Sequence, residues 1–115
     1  MASLHNVQRL SGSAATGAAT VLTLKATSLT EVHSVPAGET HEISVSVTNR
    51  NAAAVVIEGN VGATSDAFSA GVPATDSKEI ISCVLVGPAT IDLAAVANPT
   101  DAHFYGWARV HKYTS

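Results

Sequence analysis

The sequence predicts an all-β fold, a single-domain antiparallel β-sandwich or jelly roll of about eight short strands. Branched apolar residues alternate with polar ones, most clearly at Ile43, Val45 and Val47, and this period of two places one face of a strand in a core. Turn-forming residues recur about every ten residues. No window combines the apolar spacing of a helix with capping residues at its ends.

The composition fits one small domain with an aliphatic core. The chain has 115 residues, close to the usual domain size. Hydrophobic residues make up 46% but aromatic residues only 4%, so the core must be built from Val, Ile, Leu and Ala. Charged residues make up 13%, about half the usual share. Such a surface is typical of a chain that sits in an assembly or relies on neutral polar groups.

Charge and cysteine content argue against several classes of protein. The net charge is −3 and no basic run occurs, so we expect no nucleic-acid binding. The single cysteine, Cys83, has no intramolecular partner, and we expect a small buried hydrophobe. Residues 1–10 lack the apolar run of a signal peptide, and no segment is long and apolar enough to cross a bilayer. We expect a protein made in the cytoplasm without a membrane partner.

The first nineteen residues read as an N-terminal arm and a flexible connector. Residues 1–10 show no clean period and suit either an arm or a short edge strand. Residues 11–19 are small, polar and glycine-containing. We therefore divide the chain into residues 1–19 and a sandwich domain at residues 20–115, whose first core strand spans residues 20–26.

A proline–glycine turn at residues 35–38 separates two predicted strands, at 29–35 and 41–48. Pro36 presets its φ angle and Gly38 tolerates a positive one. The asparagines that follow favour a short hairpin to a returning strand at 52–58.

The same Val-Pro-Ala phrase recurs at residues 72–74, again followed by Glu-Ile and a β-branched segment. We predict two similar turn–strand units, one in each sheet. Phe68 precedes the second unit as a core anchor. In its strand, residues 78–86, apolar residues are adjacent rather than alternating, which predicts burial on both faces at the distal end.

After a strand at 90–96, the last strand, at 103–113, has an apolar even face and an aromatic and basic odd face. That odd face has the composition of binding hot spots. It also suits an aromatic ladder that only stabilises the sheet. The candidate contact residues are Tyr105, Trp107, Arg109, His111 and Tyr113, together with Leu4, Val7, Arg9 and Leu10 of the arm.

No catalytic, cofactor or metal site is predicted. The five histidines form no His-x-His pair, and Glu42 beside His41 points to the opposite face of its strand. No Gly-x-Ser-x-Gly elbow or glycine-rich phosphate loop occurs. We expect a non-enzymatic protein with its histidines at the surface or at an interface.

Residues 28–112 resemble the small β-sandwich capsid decoration, or cement, proteins of tailed bacteriophages and related virion proteins. The resemblance rests on the turn and strand of residues 35–49, a second strand pair, and a closing strand with Gly106, Ala108 and Val110 at alternate positions. It implies a dimer or trimer that docks on the assembled shell of the major capsid protein, at the virion surface.

Two other functions remain open from the sequence. A tail, neck or fibre component of a phage particle would share the same features. A carbohydrate-binding module would bind a glycan on exposed aromatic residues such as Tyr105 and Trp107.

Overall fold

A computed structural model of the chain describes residues 2–12, 20–22, 28–62, 67–96 and 102–114. Within these residues the chain forms nine strands and no helix, which confirms the all-β prediction. The strands are β1 (Ala2–Arg9), β2 (Thr20–Val21), β3 (Thr30–Val35), β4 (Thr40–Asn49), β5 (Val55–Gly62), β6 (Ala67–Val72), β7 (Asp76–Val86), β8 (Ala89–Ala95) and β9 (Ala102–Thr114). Most of the predicted connector at 11–19 and most of the strand predicted at 20–26 lie outside the described residues.

The strands form two antiparallel sheets that enclose one core. The large sheet has the order β1-β9-β4-β7, with the short β2 also paired to β9, and the small sheet has the order β3-β8-β5-β6. The inward residues are mainly Val, Ile and Leu, joined by Phe104. Phe68 and Cys83 pack against this core as partly buried residues. The predicted antiparallel sandwich is therefore confirmed.

The two Val-Pro-Ala turns both carry the chain from the small sheet to the large one. The first joins β3 to β4 and the second joins β6 to β7. Strands β4 and β7 are then direct antiparallel neighbours. The prediction of one unit in each sheet is wrong, because each turn crosses between the sheets and delivers its strand to the same one.

The predicted hairpin after β4 is also wrong. Strand β5 lies in the small sheet and pairs with β6 and β8. The side chain of Asn49, which is fully buried, donates hydrogen bonds to the carbonyl oxygens of Ala53 at 3.0 Å, Val72 at 3.2 Å and Pro73 at 3.1 Å. These bonds hold the connection across the end of the sandwich, so the chain changes sheets there.

Two β-bulges account for the irregular apolar patterns. Ile80 is an extra residue on β7 opposite β4, and Val32 is an extra residue on β3 opposite β8. A bulge lets adjacent side chains face the same side, which explains the neighbouring Ile80 and Ile81. The predicted burial of both faces of β7 is wrong within this chain, since Val84 is 61% exposed and Val86 is 70% exposed.

The first residues form an edge strand, one of the two alternatives for residues 1–10. Strand β1 pairs with β9 over its whole length. The structure places Leu10 in the core, 1% exposed, rather than on a contact surface. A Cβ on Gly106 would lie 3.2 Å from Leu10 Cδ1 and 2.0 Å from Ser44 O. The missing side chain of Gly106 therefore allows the close approach of the Ser44 carbonyl, and Leu10 packs beside it.

Candidate binding face

The register of the large sheet collects residues from four strands on its solvent side. Trp107 on β9 lies opposite Arg9 of β1 and Ser44 of β4. Directly opposed residues of antiparallel strands share one face of the sheet. This surface, called the outer face below, is formed by Val7, Arg9, Glu42, Ser44, Ser77, Glu79, Val84, Val86, Tyr105, Trp107, Arg109 and His111.

Exposed hydrophobic side chains are concentrated on the outer face. Trp107 is 39% exposed, Tyr105 38% and Val7 59%. Val84 and Val86 are also exposed on the edge strand β7, where Glu42 and Arg109 lie between Val84 and Val7. Single exposed hydrophobic residues are common on proteins, but a group on one face is typical of an interaction surface.

Polar contacts hold the side chains of the outer face in place. Arg109 Nη1 lies 3.6 Å from Glu42 Oε1, in an exposed ion pair that adds little stability. The Tyr105 hydroxyl lies 2.7 Å from Ser77 Oγ, so its ring reaches across β4 to β7. That hydrogen bond lowers the pKa of Tyr105. The Ser44 hydroxyl donates to the Glu79 carboxylate. These contacts thus fix the side chains of Tyr105 and Arg109 relative to the sheet.

The structure brings together most of the predicted contact residues. Tyr105, Trp107, Arg109 and His111 share the outer face with Val7 and Arg9 of β1. For two others, only the backbone lies within the described part of the chain: Leu4 is opposite Lys112, and Tyr113 is opposite Ser3. Leu10, in the core, is the exception already described.

A second cluster, buried between the sheets, was missed by sequence reasoning. His33 is fully buried and His41 is 1% exposed, so the expectation of surface histidines is wrong for both. His33 Nε2 lies 2.7 Å from His41 Nδ1, and His41 Nε2 lies 2.8 Å from Glu39 Oε1. The bulge at Val32 allows His33 to face inward. The available signal was the spacing of Glu39 and His41, which puts both on one face of a strand.

The electrostatics of the cluster favour a neutral His33 ring. Burial, and then the neighbouring His41, lower the pKa of His33 to about 4. The Ser11 hydroxyl accepts a hydrogen bond from Ser34 N–H at 2.8 Å, and the Ser11 N–H donates to His33 Nδ1 at 3.0 Å. Among the described residues, no group of three or more His, Cys, Asp and Glu side chains could hold a metal ion.

Comparisons with known protein families, with curated proteins and with solved structures found no match. The described residues include no helix that could span a membrane. What the protein binds must therefore be argued from the geometry of the outer face.

Proposed function

We propose that this protein is a non-enzymatic virion structural protein that binds the assembled capsid of a tailed phage through the outer face and stabilises it. The observation that carries the proposal is the grouping of Trp107, Tyr105, Arg109 and Val7 on one solvent-facing side of the large sheet. Trp, Tyr and Arg are the residues that most often dominate binding energy at protein interfaces.

The strand order supports this proposal by analogy. With the two-residue β2 left out and the other strands renumbered one to eight, the sheets read 1-8-3-6 and 2-7-4-5. We infer a jelly-roll topology from this order. Jelly rolls occur in viral capsid proteins and in lectins, although a fold by itself does not specify a function.

Binding of this kind needs only a modest contribution from each copy. A protein that binds the assembled shell and not the free subunits stabilises the shell by mass action. The contact is repeated over the shell, so a few kcal/mol for each copy is sufficient. In the dimer or trimer proposed here, the apolar half of β7 offers an open strand edge to a second copy.

Binding to shells that lack this protein tests the outer face. We expect Trp107→Ala to weaken binding at least tenfold, about 1.4 kcal/mol. The matched control is Val56→Ala, which trims a side chain 42% exposed on strand β5 of the small sheet, and it should bind like the original protein. Thermal unfolding of both variants checks that each is folded. Equal binding by folded Trp107→Ala would overturn the assignment of this face.

The copy number in purified particles tests the role itself. A ratio to the major capsid protein near one, or a simple fraction of it, is expected for a decoration protein. A handful of copies for each particle would instead favour a tail, neck or fibre component. Complete absence from particles would reject the virion proposal.

A carbohydrate-binding module is the second candidate, because Tyr105 and Trp107 lie two residues apart on the same face. Two such positions on a strand are separated by about 7 Å. Their side chains are both partly exposed. Binding of the purified protein to a glycan array, lost in Trp107→Ala and kept in Val56→Ala, would favour this candidate.

A further inference from the structure

We propose that Ser11, His33, His41 and Glu39 form a proton-sensitive latch, which holds the segment after β1 on β3 at neutral pH and releases it when the histidine pair takes up a proton. The latch is separate from the outer face, because His33 and His41 lie in the interior between the sheets.

Three hydrogen bonds fasten the segment to β3. Ser11 N–H donates to His33 Nδ1 at 3.0 Å, Ser34 N–H donates to Ser11 Oγ at 2.8 Å, and Gly12 N–H donates to Val32 O at 2.9 Å. Strand β1 belongs to the large sheet and β3 is the edge strand of the small sheet. The segment therefore closes the sandwich along one of its edges.

The backbone N–H of Ser11 sets the direction of the whole hydrogen-bond chain. It can only donate, so His33 Nδ1 must be the acceptor and the ring proton must lie on Nε2. That proton is donated to His41 Nδ1, which leaves the second ring proton on His41 Nε2. His41 Nε2–H then donates to the Glu39 carboxylate. Two neutral rings carry two protons, and each proton is used.

A further proton has no position that keeps all these bonds. On His33 Nδ1 it would face the Ser11 N–H, with two donors opposed. On His41 Nδ1 it would face the His33 Nε2–H, and a tautomer shift of His33 would return the conflict to Ser11. The contact with Ser11 is only partly buried, whereas the bond between the rings is buried. The Ser11 contact is therefore the one that yields.

On the described parts of the nearby strands, the charged side chains are exposed, lie on the outer face or are hydrogen-bonded. Glu39 is the carboxylate in contact with the pair, and it is already an acceptor. The other titratable side chains described on the flanking strands are Arg9 on β1, Glu31 on β3, Glu42 on β4, Asp76, Lys78, Glu79 and Cys83 on β7, Asp92 on β8, and His103, Tyr105, Arg109 and His111 on β9. Those of Arg9, Glu42, Glu79, Tyr105, Arg109 and His111 lie on the outer face, and His103 lies opposite Thr48 on the same side of the sheet. Glu31, Asp76 and Lys78 are exposed, and Asp92 accepts a hydrogen bond from Thr90. Cys83 is uncharged, because burial raises the pKa of its thiol.

The direction of the pH effect follows from His33. Burial and the neighbouring His41 lower its pKa from 6.5 to about 4. A histidine whose pKa is lowered in the closed state stabilises that state fully above pH 6.5. This stabilisation is lost as the pH falls from 6.5 to about 4. Once released, the ring binds its proton near the ordinary pKa.

Amide hydrogen exchange of the full chain, followed by NMR across this pH range, tests the latch. With intrinsic rates corrected, the protection factors of Ser11 and Gly12 should fall at least tenfold between about pH 7 and pH 4.5. Val45, in the middle of β4, exchanges only when the whole domain opens, so its protection factor at pH 4.5 should stay at least tenfold above that of Ser11. His33→Asn retains an oxygen acceptor without a titratable ring, and its Ser11 protection should not depend on pH. His103→Gln on β9 is the control and should keep the original profile.

Any one of four results would overturn the proposal. Unchanged Ser11 protection at acidic pH would mean that nothing opens, and equal protection factors for Ser11 and Val45 at pH 4.5 would mean that the whole domain unfolds instead. A pH-dependent loss of Ser11 protection that persists in His33→Asn would show that His33 is not the group that responds to pH. If that variant does not fold, the imidazole nitrogen shifts of the original protein decide, since a proton on His33 Nδ1 at neutral pH contradicts the proposed chain.

Discussion

Strand β4 is held at its two ends by buried polar clusters of different chemistry. At its beginning, His41 is 1% exposed and links Glu39 to His33. At its end, Asn49 is fully buried and binds the connection to β5 and the second Val-Pro-Ala turn. Both clusters tie the large sheet to the small one where the chain changes sheets. Only the first can be charged at moderately acidic pH, so the two ends should respond differently to acid.

At the Asn49 end of β4, a neutral amide makes the buried hydrogen bonds. Its nitrogen donates to three carbonyl oxygens, and its oxygen accepts from the backbone and side-chain nitrogens of Asn51, each at 2.9 Å. An amide does not titrate, so these bonds are the same at every pH of interest. The His41 end includes the ring of His33, which gains a proton in acid. The comparison shows that two buried networks can do the same structural work although only one of them responds to pH.

The largest effect is expected for Asn49→Asp, which replaces the donor with a carboxylate facing three carbonyl oxygens. We expect a loss of about 4 kcal/mol in the free energy of unfolding at neutral pH, measured by denaturant titration. The control Asn60→Asp, at a half-buried position of β5, should lose far less. A small and equal loss in both variants would show that Asn49 does not hold its end of β4.

An intermediate effect is expected from acid alone. Because the pKa of His33 is lowered to about 4, stability should fall on the order of 2 kcal/mol between neutral pH and pH 4.5. Denaturant titrations across this pH range measure the free energy of unfolding. For His33→Asn it should not vary with pH, and for Asn49→Ala it should fall with pH as steeply as in the original protein. A slope that disappears in Asn49→Ala would contradict the assignment of the acid response to the histidine end.

The smallest effect is expected for Glu39→Gln, which keeps an oxygen acceptor for His41 Nε2–H and removes a charge. We expect a loss below about 1 kcal/mol at neutral pH. The negative charge of Glu39 favours a positive histidine pair, so its removal should move the acid transition to lower pH. A transition that moves to higher pH would show that the carboxylate plays a different part.

The face of β9 that carries the contact residues was predictable, whereas its neighbours were not. Tyr105, Trp107 and Arg109 alternate with apolar residues, and alternation is a local property of one strand. The sequence does not show that Val7 lies opposite Arg109, or that Val84 continues the same surface. These placements depend on which strands pair and in what register.

The histidine cluster also separates what local spacing predicts from what the pairing of strands decides. Glu39 and His41 share a face by spacing, but His33 joins them only because Val32 is bulged and because the turn at Pro36 crosses between sheets. Neither feature has a local pattern that identifies it. A bulge inserts one extra residue into one strand, and the pairing with the partner strand determines its position.

The sequence by itself determined that the chain is all-β, where most strands lie, and which side of β9 faces outward, because side-chain alternation and turn residues act within a few positions. Only the tertiary structure decided that both Val-Pro-Ala turns lead into the large sheet, that Leu10 fills the space beside Gly106, and that two histidines are buried. Those outcomes follow from pairing between strands distant in sequence, where the energy of packing and register outweighs local preference.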